Sequence, residues 1–382
     1  MRFFTGARGA DMGAEGAGIG AMTAGDADSP LAGGPLAFRG VAAEAPSPTW
    51  LAAHPRRDVV YAALEGAGRV AAFARTGEAS LVRLGPTRVA GEAVCHIAVA
   101  PDASRLVASC WGDGRVVHIP LAADGSLGEP SLAPAAADPY DAALPGAASD
   151  PTPLEIRASG LMIAGAADAS EPAGDADPEQ AGAADPRPSR GHAAAFLPDG
   201  RVATTDLGYD LVRIWRVTEA GLAPDHEVVL PYGTGPRHMF AHPSGHLHVV
   251  TEFSCEVFTL RRRPDGRWEV AASIATGALP GDTGAELAAS HDREVLYAGL
   301  RGSDTIQALR VAGSGEELRP VALAESGVTT PRHHVIVRDT LLVAGQGSGE
   351  IVSLAIDERT GAPGRVRHRL EHPTPQHVLP VA

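Results

Sequence analysis

Lysine is absent from this chain, so all 32 of its basic residues are arginines, set against 46 acidic residues for a net charge of −14. An acidic surface repels phosphate backbones and anionic headgroups, which argues against nucleic acid and membrane as partners. Cysteine is scarce: Cys95, Cys110 and Cys255 are the only three. An odd, sparse set builds no disulfide framework and fits a reducing compartment. Cys95 and Cys110 could meet across neighbouring strands, but buried free thiols are the preferred reading. No run of about 18 apolar residues occurs, and no basic segment followed by an apolar one opens the chain. The expectation is a soluble cytoplasmic protein, a monomer or a weak homodimer. No His-x-x-x-His or Cys-x-x-Cys spacing with a third ligand stands out, so no metal or other cofactor is expected.

What is present is a repeat. GPRHMFAHPSGHLHVVTEFSCEVFTL, from Gly235 to Leu260, places a polar cluster, a short apolar run, a turn and two strand-like runs in order. β-Branched and aromatic residues bounded by Gly, Pro and Ser read as strands. The layout recurs: VVYAAL then RVAAFA, RLVASC then RVVHIPL, RVATTD then LVRIWRV, EVLYAGL then TIQALRV, and TLLVAG then EIVSLAI. The turn prolines Pro55, Pro101, Pro198 and Pro243 are spaced by 46, 97 and 45 residues, and His291 follows Pro243 by 48. A period near 45 in an all-β pattern predicts propeller blades, and the interval of 97 is one blade step carrying an insertion.

That insertion falls at residues 131–188, where Ala, Asp, Pro and Gly dominate. Only LEIRASGLMIAG, Leu154 to Gly165, reads there as strand, and such a composition predicts a largely mobile segment. Six units are marked. The C-terminal run HVLPVA is expected to pair with strands from residues 1–45, among them Arg2 to Thr5 and Gly18 to Met22, and so close a seventh blade and remove the open edges. The fold class is therefore all-β, a single seven-bladed β-propeller over residues 1–382, its N- and C-terminal strands closing one blade.

In a meandering blade, the residues before strand one and those between strands two and three share one face. The first set is Trp50, His96, His192, Arg237 with His238, and Arg332 with His333. The second is Glu65, Trp111, Asp206, Glu252, Arg301 and Gln346. The other face receives ordinary turns such as PDG and HPSG. Polar and aromatic side chains thus gather at one mouth of the central channel, where a propeller takes a small ligand.

GHAAAFLPDGRVATTDLGYDLVRIWRV, the GPRH segment, SHDREVLYAGLRGSDTIQALRV, TPRHHVIVRDTLLVAGQGSGEIVSLAI and VCHIAVAPDASRLVASCWGDGRVVHIPL together resemble the lactonase family of seven-bladed propellers. That family includes a bacterial 6-phosphogluconolactonase and fungal carboxymuconate-lactonising enzymes. The resemblance implies a site of His192, Arg237, Glu252 and Arg301. Departures are Ser189-Arg190-Gly191 in place of a second histidine, Trp111 in place of a tyrosine, and Thr251 before Glu252.

Opening a sugar lactone needs an activated water and a stabilised oxyanion. One of Glu252 and His192 is expected as general base, the other protonating the leaving oxygen. Arg237 and Arg301 would hold phosphate or carboxylate in bidentate contacts. His96, Asp206, His238, Arg332, Glu65 and Gln346 are candidate substrate-binding residues. The alternatives are local: an Arg237–Glu252 structural pair, an Arg301–Asp304 pair, and Asp206 and Asp210 capping a turn. The expected substrate is a small anionic lactone, most concretely 6-phosphogluconolactone. Another lactone, a cycloisomerisation, or a non-catalytic scaffold are the competing readings.

Overall fold

The computed structural model describes residues 1–141 and 187–381. The strand expected at residues 154–165, and most of the insertion read as mobile, lie outside the described residues. Seven antiparallel sheets, six of four strands and one of five, follow the chain around a ring. Blade 1 begins with the strands Pro48–Ala53 and Val59–Leu64, blade 2 with Val94–Val99 and Arg105–Cys110, and blade 3 with Gly191–Phe196 and Val202–Asp206. Blade 4 begins with Pro236–Ala241 and Leu247–Thr251, blade 5 with Thr283–Ala289 and Val295–Arg301, and blade 6 with Pro331–Val337 and Thr340–Gly345.

In blade 7 the innermost strand is the C-terminal Pro375–Val381. It pairs with Arg2–Ala7, which continues to Gly18–Ala24 and Leu36–Glu44. The N- and C-terminal segments thus close the ring, and each innermost strand packs beside those of the two neighbouring blades. Blades 2 and 3 are adjacent across the insertion.

Sheets stack face to face because each strand presents apolar side chains to both neighbours. The run LVRIWRV of blade 3 buries Trp215 completely, and its indole N–H donates to Thr204 Oγ1 at 2.8 Å. Two blades use the same tie to their successor: the Tyr61 hydroxyl donates to Gly125 O and the Tyr297 hydroxyl to Gly361 O. Burial without a partner would cost each hydroxyl a few kcal/mol, which these carbonyls prevent. The PDG and HPSG turns lie at the far end of the innermost strands, where Gly200 and Gly245 take φ of +84° and +90° that L side chains rarely adopt.

All seven innermost strands carry a β-bulge near their first residues. In blade 4, Pro236 faces Thr251 and His238 faces Val250, which leaves Arg237 extra. The same shift leaves Thr49, Cys95 and Arg332 extra in blades 1, 2 and 6, and Gln376 in blade 7. In blades 3 and 5 it spans His192–Ala193 and Ala285–Glu286. A bulge twists the strand and re-aims the side chains beside it, which is why bulges collect at functional rims. The residues expected just ahead of strand one are therefore within it.

Candidate functional site

The bulges and the second-to-third-strand turns stack two rings of side chains at one mouth. The register sets the turn ring. Thr251 closes the ladder of blade 4 opposite Pro236, so Glu252 is the first residue beyond it. The same count gives Glu65, Trp111, Gln346 and Arg8 in blades 1, 2, 6 and 7. In blade 5 Leu300 pairs with Gly284 at the bulge, as Thr251 does with Pro236, so the counterpart is Arg301, although it makes one further pair with Thr283. In blade 3 the counterpart is Leu207, because Asp206 still pairs with Gly191. Asp206 is thus one residue short of the ring position. Its carboxylate accepts from Ser189 Oγ, Arg190 N–H and Tyr209 N–H. Those bonds fasten the chain that enters blade 3, the turn-holding role that was the alternative for this residue.

Three of the four residues drawn from the resemblance form one chain of charge. Arg237 Nε donates to Glu252 Oε2 at 2.9 Å, and Arg301 Nη2 lies 3.0 Å from Glu252 Oε1. Arg301 also donates to Gly284 O of its own blade. The Glu252–Arg301 contact joins blade 4 to blade 5, whose backbones approach so closely that a Cβ on Gly284 would sit 2.2 Å from Thr251 O. Arg301 does not pair with Asp304, which accepts from Thr330 N–H instead.

Arg237 is 3% exposed. Burial first, then the charges of Arg332 and Arg301, push its guanidinium down to about 9 against the pull of Glu252, so it remains a cation at neutral pH. Burial by itself would raise Glu252. Arg301, Arg237 and Arg332 outweigh it and hold the carboxyl below its ordinary range.

His192 enters the same network from blade 3. Burial, and then Arg237 and Arg332, hold its imidazole well below 6.5, so it is neutral at physiological pH. Its Nδ1 is buried without a hydrogen-bond partner. Beside it the Cys95 thiol donates to His192 O, and burial pushes that thiol up to about 12, which leaves it protonated. All three cysteines are free and buried.

Below the mouth the ring closes over an aromatic plug. Trp50 lies 4.4 Å from His96, 4.3 Å from His377, 5.3 Å from His238 and 5.4 Å from His333, centroid to centroid. Ala194 N–H donates to His96 Nδ1, and Val378 N–H to His333 Nδ1, so both rings act as neutral acceptors between blades. His238 Nδ1 lies 3.0 Å from the buried Glu286 carboxylate, in contact but not aligned as a hydrogen bond. A cavity of about 360 Å³ lies along these strands, with apolar walls that include Ile97, Met239 and Leu379.

Of the remaining candidates, Glu65 is buried and faces Arg8 at 3.8 Å, while Arg332 is half-buried near Arg237, Arg301 and His192. Gln346 is half-buried in its turn, and Trp111 is exposed under the stacked guanidinium of Arg190. Arg8 is the residue sequence reasoning missed. Its signal was present: Gly6-Ala7-Arg8-Gly9 repeats the Gly299-Leu300-Arg301-Gly302 pattern of blade 5. Among the described residues, no group of three or more His, Cys, Asp and Glu side chains is arranged to hold a metal ion. No helix there is long and apolar enough to cross a membrane.

The architecture is that of a seven-bladed propeller with an arginine-rich mouth over an aromatic floor. The chain belongs to the family Lactonase, 7-bladed beta-propeller, which matches residues 17–141 and 162–380. Among curated proteins, an uncharacterized protein of Staphylococcus aureus is 31% identical over 176 residues, 44% of this chain and 51% of that one. The match thus spans about half the length of the curated relatives. Among solved structures, a protein of Lactobacillus plantarum superposes with a TM-score of 0.75 at 22% identity, covering 99% of this chain and 98% of that one. A "putative 6-phosphogluconolactonase" of Bacteroides fragilis superposes at 0.75 and 18% identity, covering 99% and 96%. The periplasmic gluconolactonase of Pseudomonas aeruginosa superposes at 0.73 and 18%, covering 99% and 98%.

Proposed function

We propose that the protein hydrolyses a sugar lactone at this mouth, with 6-phosphogluconolactone as the substrate and the pentose phosphate pathway as its setting. The observation that carries the reading is the Arg237–Glu252–Arg301 chain beside a neutral His192. Glu252 has both oxygens on guanidiniums, which suppresses its basicity. His192 has a free ring nitrogen and no charge, so it is the better candidate for the base. In this scheme a water gives its proton to His192 as its oxygen attacks the lactone carbonyl. Arg237 and Arg301 stabilise the resulting oxyanion. The ring C–O bond then breaks, and the imidazolium returns its proton to the departing oxygen. The product is the open hydroxy acid, and one water is consumed.

The same guanidiniums that depress His192 would be partly neutralised by an anionic substrate, so binding would restore basicity to the imidazole. A scaffold without chemistry gives no reason to crowd like charges around a carboxylate and a neutral imidazole. The three free cysteines fit a reducing, cytoplasmic setting. The relatives' names lend weight to a gluconolactone-type substrate. The decisive assay is turnover of 6-phosphogluconolactone and gluconolactone by purified protein, corrected for spontaneous opening. Rates for wild type that match Arg237→Ala would end the enzymatic reading.

A further inference from the structure

The mouth carries more positive charge than the hydrolysis uses. Four arginines reach it: Arg237 and Arg301 share Glu252, whereas Arg8 has only Glu65 at 3.8 Å, and Arg332 has no ion-pair partner among the described residues. Four cations against Glu65, Glu252 and the buried Glu286 carboxylate that also pulls on Arg237 leave a local surplus of one, in a chain whose net charge is −14. The surplus is costly. Arg8 is depressed first by burial and then by Arg332, and Arg332 likewise opposes Arg237 and Arg301. The Nε of Arg8 is buried with no acceptor, and so is the Nε of Arg301. Buried donors in folded proteins are nearly always satisfied, and an orphan beside uncompensated charge marks the place of a missing acceptor.

The position of the pair gives the acceptor its chemistry. Arg8 stands at the ring turn of blade 7 and Arg332 on the bulge of the adjacent blade 6. His192 belongs to blade 3, across the ring. A six-carbon sugar lactone with a terminal oxyanion carries its carbonyl at C1 and its charge on C6, on either side of the ring oxygen, so the two need separate but neighbouring subsites. We infer that Arg8 and Arg332 form an anion-binding subsite that takes the terminal phosphate or carboxylate of the substrate while its carbonyl sits by His192 and Arg237. Two planar forks match a tetrahedral or planar oxyanion. This subsite rests on the lactonase reading for its substrate, though not for its affinity for anions.

The test is binding and selectivity together, on the full-length protein. Thermal unfolding is followed with 6-phosphogluconate, glucarate and gluconate, in wild type, Arg8→Gln and Arg332→Gln. A ligand with a second oxyanion should raise the melting temperature of wild type more than gluconate does, and each substitution should abolish the difference. The preference in kcat/KM for 6-phosphogluconolactone over gluconolactone should shrink about 10- to 100-fold, the value of one charge-assisted contact. Relief of repulsion should leave the ligand-free variants melting no lower than wild type. If a glutamine variant does not fold, Arg8→Lys keeps the charge but loses the fork, and should lose part of the selectivity. Substituted proteins that keep the wild-type phosphate or carboxylate increment and the wild-type preference overturn the subsite. Lactone turnover without any preference for the charged substrate overturns it as well, while leaving the lactonase reading intact. Anion stabilisation lost in the variants with no turnover of either lactone supports the subsite and ends the lactonase reading instead.

Discussion

Arg237 of blade 4 places its Nε 2.9 Å from Glu252 Oε2 and leaves the second oxygen of that carboxylate to Arg301 of blade 5, at 3.0 Å. One carboxylate thus fixes two guanidiniums that come from different sheets and would otherwise repel each other. Removing the anion leaves cations that burial already disfavours. Glu252→Gln is expected to lose about 100-fold or more in kcat. It should also lose about 3 kcal/mol of stability, the usual cost of stripping one partner from a largely buried pair. Steady-state kinetics and urea unfolding measure the two. A variant with wild-type stability would show that the carboxylate does not hold the arginines together.

His192 sets the acid limb of the pH profile. Its folded-state value lies well below 6.5 through burial and then through Arg237 and Arg332, so the free enzyme should keep its active, neutral imidazole below pH 6.5. The limb of kcat/KM should accordingly lie beneath that value. The limb of kcat, which reports the complex, should lie higher, because a bound anion offsets the arginines. His192→Gln should reduce kcat by about 100- to 10,000-fold and erase both limbs. Limbs that persist in His192→Gln would assign the base elsewhere.

Stability should follow the plug histidines. His96, His333 and His377 are all held well below 6.5, by burial first and then, for His96, by His238 and, for His333, by His377. An unfolded chain binds those protons readily and the folded one does not. The stability these groups contribute is therefore fully present above pH 6.5 and is lost as the pH falls below it. Melting temperature should be flat from pH 8 to about 6.5 and decline below, a window in which ordinary carboxylates stay ionised. His333 Nδ1 accepts the Val378 N–H as a neutral ring, so His333→Asn should make that decline shallower. An unchanged decline would place the proton uptake in other groups.

The ring of blades was legible because one sheet repeats one pattern, and the turn prolines mark its period without any long-range information. The site was legible in part for the same reason: His192, Arg237, Glu252 and Arg301 occupy repeat-equivalent places, and the two arginines meet on the Glu252 carboxylate. One misreading came from register, which side-chain chemistry does not announce. Asp206 looked like the counterpart of Glu252, yet it is a ladder residue opposite Gly191, and its carboxylate holds a loop. Arg8 was missed because its blade is assembled from both chain ends, so no continuous unit displays it next to its neighbours. The bulges were not legible either, since an extra residue shows only when two strands are laid side by side.

The closing strand Pro375–Val381 supplies more than an edge for Arg2–Ala7. It gives Gln376 to the bulge ring, His377 to the plug beside Trp50, and Val378 to the core between blades 6 and 7. Deleting residues 375–382 would leave Arg2–Ala7 unpaired along its inner edge and open a channel wall between blades 6 and 1. Unpaired strand edges recruit other chains, and a ring with one innermost strand missing cannot keep both neighbours of the gap packed. The truncated protein is expected to elute as high-molecular-weight species in size-exclusion chromatography and to lose its single cooperative melt. Supplying the missing segment as a synthetic peptide should restore a monomeric peak and part of the melt, because the strand docks by the same ladder whether or not it is covalently joined. A truncated chain that stays monomeric and melts as wild type does would mean that six blades hold the mouth without the seventh innermost strand, and that the arginines of blades 4, 5 and 6 are positioned by their own sheets alone.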